Sequence, residues 1–292
     1  MIKVWNKISR SIRMIWNHPL VHNERLSAFI RYIKFHFKYR NGQKCIIPFI
    51  QHSLIITKGS GIQAHYFTYL EDFEEMLFLL HYLDKNDKFI DVGANIGAYS
   101  ILASGQIGCY TMAFEPSIIN YNILEENVIL NNLQDKIKLY NLALGDKNES
   151  STIEFMGAMT HLTNYKALNP QEVMIKKLDD FTDYSQLIKI DVEGYEEFVL
   201  NGASEILNHP KTNALIVELA GLNRYGSSNE IVHNLLMENN FSPIKYSPYE
   251  RVIKKLTSWR DDQFNTIYIR DEKLVRKRII NSPKYKIGNQ WI

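Results

Sequence analysis

The chain has 292 residues, 45% of them hydrophobic, and a formal net charge of only +2. This length and apolar content favour a globular protein with a full hydrophobic core. Its two cysteines, Cys45 and Cys109, match no metal-binding or redox spacing, so we expect buried, reduced thiols and no zinc site. No apolar run reaches the length of a membrane span, and we expect a cytoplasmic protein.

The first forty-five residues are locally basic, with ten lysines and arginines against the single acid Glu24. Apolar residues recur at helical spacing in residues 2–16 and 26–37, which predicts two basic amphipathic helices. These helices either lie peripherally on an anionic membrane or dock a lipid-linked acceptor, or they pack on the main domain with their charges in water. Nucleic acid is disfavoured because no recognition motif accompanies the charge.

Residues 46–69 alternate in polarity and contain two glycines, which predicts short strands and turns. A helix is predicted to follow over residues 71–83. We therefore divide the chain into an extension (1–45), a lead-in (46–87) and one large domain (88–292).

The stretch over residues 89–100 predicts a buried strand, a glycine turn and a helix. The strand carries Asp91 near its end, and Gly93 and Gly97 permit a tight reversal. A strand that ends in a carboxylate before glycine-rich backbone is how open α/β sheets bind a nucleoside. The dinucleotide pattern G-x-G-x-x-G is broken, because Asn95 stands at its middle glycine.

Two further predicted strands end in acids. Residues 110–114 lead to Glu115, at about the twenty-residue offset where such folds place an acid on the ribose hydroxyls, although a plain strand-end charge is the alternative. Residues 137–144 predict a third strand that ends at Asp146, which either bonds the adenine amino group or is an ordinary turn residue.

Residues 151–155 and 174–181 read as two short strands around a loop that contains His161. We expect this loop to lie over the site. The unperturbed pKa of histidine makes His161 a candidate general base, and a solvated loop histidine is the alternative.

A second block of acids follows the strands predicted at residues 187–190 and 214–219. Asp191 and Glu193 come directly after the first strand, and Glu218 lies at the end of the other. Because the carboxyl ends of parallel strands meet at one edge, we expect these acids to frame the ligand crevice, with helix capping as the alternative role. Carboxylates suit magnesium, but the spacing carries no dedicated metal signature and no metal is predicted.

Together these motifs resemble the FkbM family of S-adenosylmethionine-dependent methyltransferases. The resemblance is carried by residues 89–100, 113–116, 143–146, 178–180, 189–203 and 216–218, and extends to 265–268. It implies an α/β, Rossmann-like class I fold: a mostly parallel seven-stranded sheet in the order 3-2-1-4-5-7-6, with helices on both faces. The N-terminal helical extension, predicted above from periodicity, lies outside the resemblance. By position, the cofactor residues are Asp91, Gly93, Asn95 and Gly97 at the methionine end, Glu115 at the ribose, and Asp146 at the adenine.

The resemblance also implies methyl transfer to a hydroxyl oxygen of a sugar, a lipid-linked saccharide or another small molecule. Asp191 and Glu193 then face the acceptor and are the first candidates for the general base, followed by His161. Two other classes stay open at this point: an NAD(P)-type oxidoreductase and a non-catalytic nucleoside-binding module.

Overall fold

The computed structural model describes residues 11–38, 44–57, 64–156, 159–162, 170–219 and 225–292. These residues form an α/β fold with a central sheet between two layers of helices. In chain order the strands are β1 Cys45–Pro48, β2 Leu54–Thr57, β3 Lys88–Val92, β4 Tyr110–Phe114, β5 Ile137–Tyr140, β6 Ala143–Leu144, β7 Glu149–Met156, β8 Met159–Leu162, β9 Pro170–Lys176, β10 Leu187–Ile190, β11 Ala214–Glu218, β12 Ser242–Ser247, β13 Val252–Lys255, β14 Asn265–Ile269, β15 Lys286–Ile287 and β16 Gln290–Trp291.

Nine α-helices lie entirely within the described residues. In chain order they are α1 Arg25–Lys38, α2 Ala64–Thr68, α3 Phe73–Tyr82, α4 Ala98–Leu102, α5 Ile118–Leu130, α6 Glu196–Asn201, α7 Ser204–Asn208, α8 Asn229–Glu238 and α9 Glu272–Asn281. Residues 11–17 are also helical. The last turn of α4 continues as a π-helical segment, Ala103–Ile107, and Pro19–Glu24 and Leu178–Asp180 are 3₁₀ helices.

The large sheet has the order β13-β12-β14-β11-β10-β3-β4-β5. The five strands from β11 to β5 are parallel, whereas β14, β12 and β13 join by antiparallel pairing. The predicted α/β class I arrangement is confirmed, but the predicted count of seven strands is wrong by one. The additional strand is β13, which forms a hairpin with β12 at the edge of the sheet.

The central strands are buried and mostly apolar because helices cover both of their faces. All four residues of β10 and all five of β14 are buried. One core cluster joins the sheet to α3, α4, α5 and α9, and includes Leu77, Ile101 and Leu124. A second cluster joins the opposite face to α6, α7 and α8, and includes Leu200 and Leu236. A continuous apolar run is therefore the expected sequence of such a strand.

Residues 137–144 form two strands rather than the single one predicted. β5 pairs with β4 in the large sheet, whereas β6 pairs with β9 in a second sheet of order β6-β9-β7-β8. Between them, the side-chain amide of Asn141 donates hydrogen bonds to the carbonyls of Glu115 (2.8 Å) and Pro116 (3.0 Å). These bonds turn the chain away from β4 after Tyr140.

The second sheet also corrects the expected loop over the site. Residues 159–162 are β8, and its backbone pairs with β7 so that His161 lies opposite Glu154. The side chain of His161 and residues 163–169 lie outside the described part of the structure. The run predicted as a strand over 174–181 ends at Lys176. It ends there because Asp179 accepts hydrogen bonds from the backbone N–H groups of Glu205 and Ile206. Asp179 thereby caps α7.

The lead-in contains the β1–β2 hairpin and the predicted helix, which spans α3, together with a further short helix, α2. Asn127 of α5 and Asn131, which follows its last residue, pair with the backbone of β2. The Asn131 side chain bonds the N–H and carbonyl of Leu54 (2.9 and 2.8 Å), and the Asn127 side chain bonds those of Ile56 (2.6 and 3.2 Å). The hairpin is thus held against α5 by side-chain amides that substitute for a neighbouring strand.

Both cysteines are free and buried, as the sequence predicts. Most of the first predicted amphipathic run, residues 2–16, lies outside the described residues. The second run is helical and forms α1. None of the helices in the described ranges has the length and apolarity that crossing a bilayer requires.

Candidate active site

A cleft of about 300 Å³ opens at the carboxyl ends of β3, β4, β10 and β11. The four acids at these strand ends, Asp91, Glu115, Asp191 and Glu218, all line it. This is the edge of an open α/β sheet at which ligands bind. The sheet therefore gathers into one cleft four carboxyl groups that are dispersed over 128 positions of the chain.

The glycine turn over residues 93–97 forms the floor of the cleft. Gly93 has φ +76°, and a Cβ atom on it would lie 1.9 Å from the carbonyl oxygen of Asp191. Gly97 has φ +91° at the start of α4, where a Cβ atom would meet the Leu124 side chain at 2.4 Å. Gly93 and Asn95 line the cleft, whereas Gly97 lies behind it and sets the direction of α4. Glycine is required here by close packing as well as by backbone conformation.

Asp91 is buried, with 1% of its surface exposed. Its Oδ2 atom accepts a hydrogen bond from the Ser100 hydroxyl at 2.6 Å. Its Oδ1 atom is buried and accepts no hydrogen bond within the described ranges, and the same holds for Oδ1 of Asn95. Burial raises the pKa of the Asp91 carboxyl, and the Lys189 ammonium partly opposes this rise. Two oxygen acceptors are thus available to a cationic donor on a ligand.

Glu115 is held by the backbone of two loops. Its Oε2 atom accepts from the Asn95 N–H at 2.8 Å, and its Oε1 atom accepts from the Ser117 N–H at 2.9 Å. Burial raises the pKa of this carboxyl to about 7, although these hydrogen bonds lower it. Each carboxylate oxygen can accept a further hydrogen bond, so both retain capacity for a pair of ligand hydroxyls.

Asp146 is half-buried and is not among the residues that line the cleft. It follows Gly145, whose carbonyl packs so closely on Gly202 that a Cβ atom there would lie 1.9 Å from it. The lining at this end comes instead from the preceding segment, Leu142 to Leu144, with Phe114 on the neighbouring strand. This part of the cleft is an apolar slot of the kind that a purine ring fills.

A buried lysine lies at the centre of the cleft. Lys189 is 3% exposed, and its Nζ atom lies 2.7 Å from Oδ2 of Asp191 and 4.8 Å from the centre of the Tyr99 ring. The Tyr99 hydroxyl in turn donates to Oδ2 of Asp72 at 2.9 Å. Burial lowers the pKa of Lys189, but Asp191 and Asp91 outweigh it and hold the pKa above its ordinary value. Lys189 is therefore a fixed positive charge.

The same contact corrects the expected protonation of Asp191. The sequence analysis assigned this residue as a candidate base, which is favoured by a raised pKa. Burial does raise the pKa of the Asp191 carboxyl, but the Lys189 ammonium and hydrogen bonds from Lys189 and Glu218 outweigh it, so the pKa is lowered overall. Burial and the Asp191 charge raise the pKa of Glu218 to about 10. Near neutral pH, a protonated Glu218 therefore donates to an ionised Asp191.

Glu193 and Glu196 follow Asp191 and differ in role. Glu193 is half-buried, has φ +57° and lines the cleft. Glu196 accepts hydrogen bonds from the backbone N–H groups of Val192 (3.2 Å) and Gly194 (3.1 Å), which makes it the capping acid at the start of α6. Glu193 therefore faces the cleft, and Glu196 supports the turn that presents it.

Several residues of the cleft were missed by sequence reasoning. Lys189 could have been placed in the cleft from the sequence, because alternation along a strand puts it on the same face as Asp191. The others come from a loop before a helix, from helices, or from an antiparallel strand, and the sequence assigned no place in the cleft to them. The missed residues with polar side chains in the cleft include Glu71, Asp72, Tyr99, Asn120, Lys189 and Asn265.

These side chains fit S-adenosylmethionine. Asp91 and Asn95 offer buried acceptors for its ammonium group, Glu115 offers acceptors for its ribose, and the apolar slot suits its adenine. An open α/β sheet with this series of acids at its carboxyl edge defines a class I methyltransferase. Residues 91–243, just over half of the chain, match the Methyltransferase FkbM domain. The chain belongs to this family, and S-adenosylmethionine is its methyl donor.

Individual relatives are distant. The methyltransferase sdnD of Sordaria araneosa is 27% identical over 187 residues, which cover 50% of this chain and 71% of that protein. Among solved structures, a SAM-dependent methyltransferase from Agrobacterium tumefaciens is 12% identical with a TM-score of 0.44, over 78% of this chain and 69% of its own. A SAM-dependent O-methyltransferase from Thermotoga maritima is 10% identical with a TM-score of 0.38, over 68% and 64%. The assignment depends on the family match, which favours methyl transfer over hydride transfer.

Proposed function

We propose that the protein methylates a hydroxyl oxygen of a sugar, a glycan or a lipid-linked saccharide. The observation that carries this proposal is the density of carboxyl groups on one side of the cleft, where Glu71, Asp72, Asp191, Glu193 and Glu218 all contribute to the lining. Ionised carboxylates accept hydrogen bonds from hydroxyl groups, and protonated carboxyl groups also donate them. A polyhydroxylated acceptor suits this surface best.

The bound cofactor supplies an electrophilic methyl group on a sulfonium sulfur. Transfer forms an oxygen–carbon bond to the acceptor, breaks the sulfur–carbon bond, and requires the acceptor hydroxyl to lose its proton. We assign the role of the general base that accepts this proton to Glu193. Asp191 is the second candidate and His161 the third. The lowered pKa of Asp191 and its contact with Lys189 make it the better group for orienting the acceptor.

We assign Asp91 and Asn95 to the methionine end, Glu115 to the ribose hydroxyls, and the lining segment 142–144 to the adenine. Asp146, which follows this segment outside the lining, is assigned to the adenine side by position. Gly93 and Gly97 act through their backbone, because they let the turn pass beneath the ligand. Alignment of the acceptor oxygen behind the methyl group then provides most of the rate gain.

The acceptor class can be tested with radiolabelled S-adenosylmethionine and separate pools of neutral sugars, glycans and lipid-linked saccharides. We expect label in at least one hydroxyl-bearing pool, in a product that survives mild alkali as a methyl ether does. Label found only in alkali-labile methyl esters or only in amines would contradict O-methylation. Reactions without protein give the background.

We further propose that α1 contacts a membrane surface. One face of this helix carries Leu26, Ile30 and Ile33, which are 75%, 50% and 49% exposed, and continues to the exposed Phe37. Its opposite face is buried through Ala28, Tyr32 and Phe35. The exposed Lys34 lies beside this apolar stripe on the same helix. An apolar stripe beside positive charge favours the headgroup region of an anionic bilayer.

The variant Ile30→Ser/Ile33→Ser is expected to bind phosphatidylglycerol vesicles at least tenfold more weakly, because each half-exposed isoleucine contributes roughly 1–2 kcal/mol when buried. Sedimentation with vesicles measures this loss. The matched control is Ile119→Ser/Ile129→Ser, which removes two comparably exposed isoleucines (46% and 53%) from α5. Equal binding by both double variants, or equal binding of the unaltered protein to neutral phosphatidylcholine, would contradict the membrane contact.

A further inference from the structure

Three carboxyl groups form a compact cluster on the acceptor side of the cleft. One oxygen atom from each of Asp191, Glu193 and Glu218 can be chosen so that all three lie within 4.8 Å of one another. Each residue is half-buried and lines the cleft. Lys189 contacts only the Asp191 member of the cluster in the described structure, at 2.7 Å.

The state of a neighbouring amide oxygen is an independent observation. Asn265 lines the same cleft and is 8% exposed. Its Oδ1 atom is buried and accepts no hydrogen bond from any part of the chain that the structure describes. Asn265 on β14 is paired directly opposite Glu218 on β11 in antiparallel register. Directly opposed side chains lie on one face of a sheet with Cβ atoms about 5 Å apart.

We propose that Asp191, Glu193, Glu218 and Asn265 bind a divalent cation. Carboxylate and amide oxygens are the ligands that magnesium and calcium prefer. A buried amide oxygen without a donor is costly, and a cation would satisfy it. Binding of the cation would also displace the proton that Glu218 otherwise donates to Asp191. The residues come from a strand end, a turn and two neighbouring strands, so no sequence spacing reveals the site.

A cation at this position lies where the acceptor is proposed to bind. This consequence rests on the proposed function: a hydroxyl oxygen of the acceptor completes the coordination, and its pKa falls on binding to the metal. The cation then holds the acceptor oxygen in place, and the second oxygen of Glu193 stays available for the proton. Polyhydroxylated acceptors, which offer two adjacent oxygens, are favoured by such a site.

The test is isothermal titration of the full chain with calcium, magnesium and manganese chloride, without cofactor or acceptor. We expect at least one ion to bind the unaltered protein, and Glu218→Gln and Asn265→Leu to bind it at least tenfold more weakly, since loss of a direct ligand costs at least as much as loss of a supporting contact. Glu71→Gln is the matched control, because it removes an acid from the same cleft but outside the cluster. It should bind the ion as the unaltered protein does.

Absence of binding by all three ions would overturn the proposal. Equal weakening by Glu71→Gln would also overturn it, since the attraction would then be general to the acidic cleft. Thermal unfolding without ions shows whether Glu218→Gln or Asn265→Leu fails to fold. If one of them does, the ion affinity of the other tests the proposal. Calorimetry contains no acceptor, so its outcome is independent of whether a saccharide is the substrate.

Discussion

Replacing Gly93 with alanine is expected to destabilise the folded protein by about 3–5 kcal/mol, which lowers the unfolding midpoint by roughly 10 °C. Two costs add. An alanine at φ +76° is strained, and its Cβ atom would lie 1.9 Å from the carbonyl oxygen of Asp191. The turn and the strand end must separate to admit it. Thermal unfolding measures the loss, and titration with S-adenosylhomocysteine should show weakened binding in whatever protein stays folded.

Gly108→Ala separates the two costs. Gly108 has a similar φ of +82°, but a Cβ atom placed there meets nothing within 4 Å. This variant should therefore show only the conformational cost, about 1–2 kcal/mol, and should keep its affinity for the cofactor. Equal destabilisation by the two alanines would mean that the approach of Gly93 to Asp191 does not constrain the turn.

Glu193→Gln is expected to reduce kcat by about 10²–10⁴-fold, the usual contribution of a general base. The substitution keeps the shape of the side chain and removes its ability to take a proton. Affinity for S-adenosylhomocysteine should not change, because the assigned cofactor contacts are made by other residues. Glu197→Gln, a neighbouring acid that does not line the cleft, is the control and should keep full turnover.

Asp191→Asn should lower both turnover and stability, because it leaves the buried Lys189 ammonium without its 2.7 Å partner. Comparison of Glu193→Gln with Asp191→Asn distinguishes the residue that accepts the proton from the residue that orients the acceptor. Full turnover in both, with unchanged cofactor affinity, would remove Asp191 and Glu193 as candidates. His161 would then become the first candidate for the base.

The strand-end acids could be predicted from the sequence because their positions follow from local pattern. A buried parallel strand is a run of apolar residues, and the residue that ends it must emerge at the carboxyl edge. Asp91, Glu115, Asp191 and Glu218 each satisfy this rule, and the structure brings them to one cleft. The class of fold follows from the same alternation of strands and helices.

Residues that meet only through tertiary packing could not be predicted in this way. Asp72 precedes a helix and accepts a hydrogen bond from the Tyr99 hydroxyl in the cleft. Asn265 enters the cleft from an antiparallel strand. The division of residues 137–144 between two sheets also escaped detection, because it depends on hydrogen bonds from Asn141 to another segment. Local periodicity contains no information on such partners.

The Asn127 side chain, which pairs α5 with β2, also contacts the glycine turn. Besides bonding Ile56, the Asn127 side chain donates to the carbonyl of Ile96 at 2.8 Å, within the glycine turn. One fully buried side chain thus fastens the lead-in to the floor of the cleft. Local opening of either segment breaks bonds of the other, so the two belong to a single cooperative unit, and ordering of the turn by a ligand also slows hydrogen exchange in the hairpin.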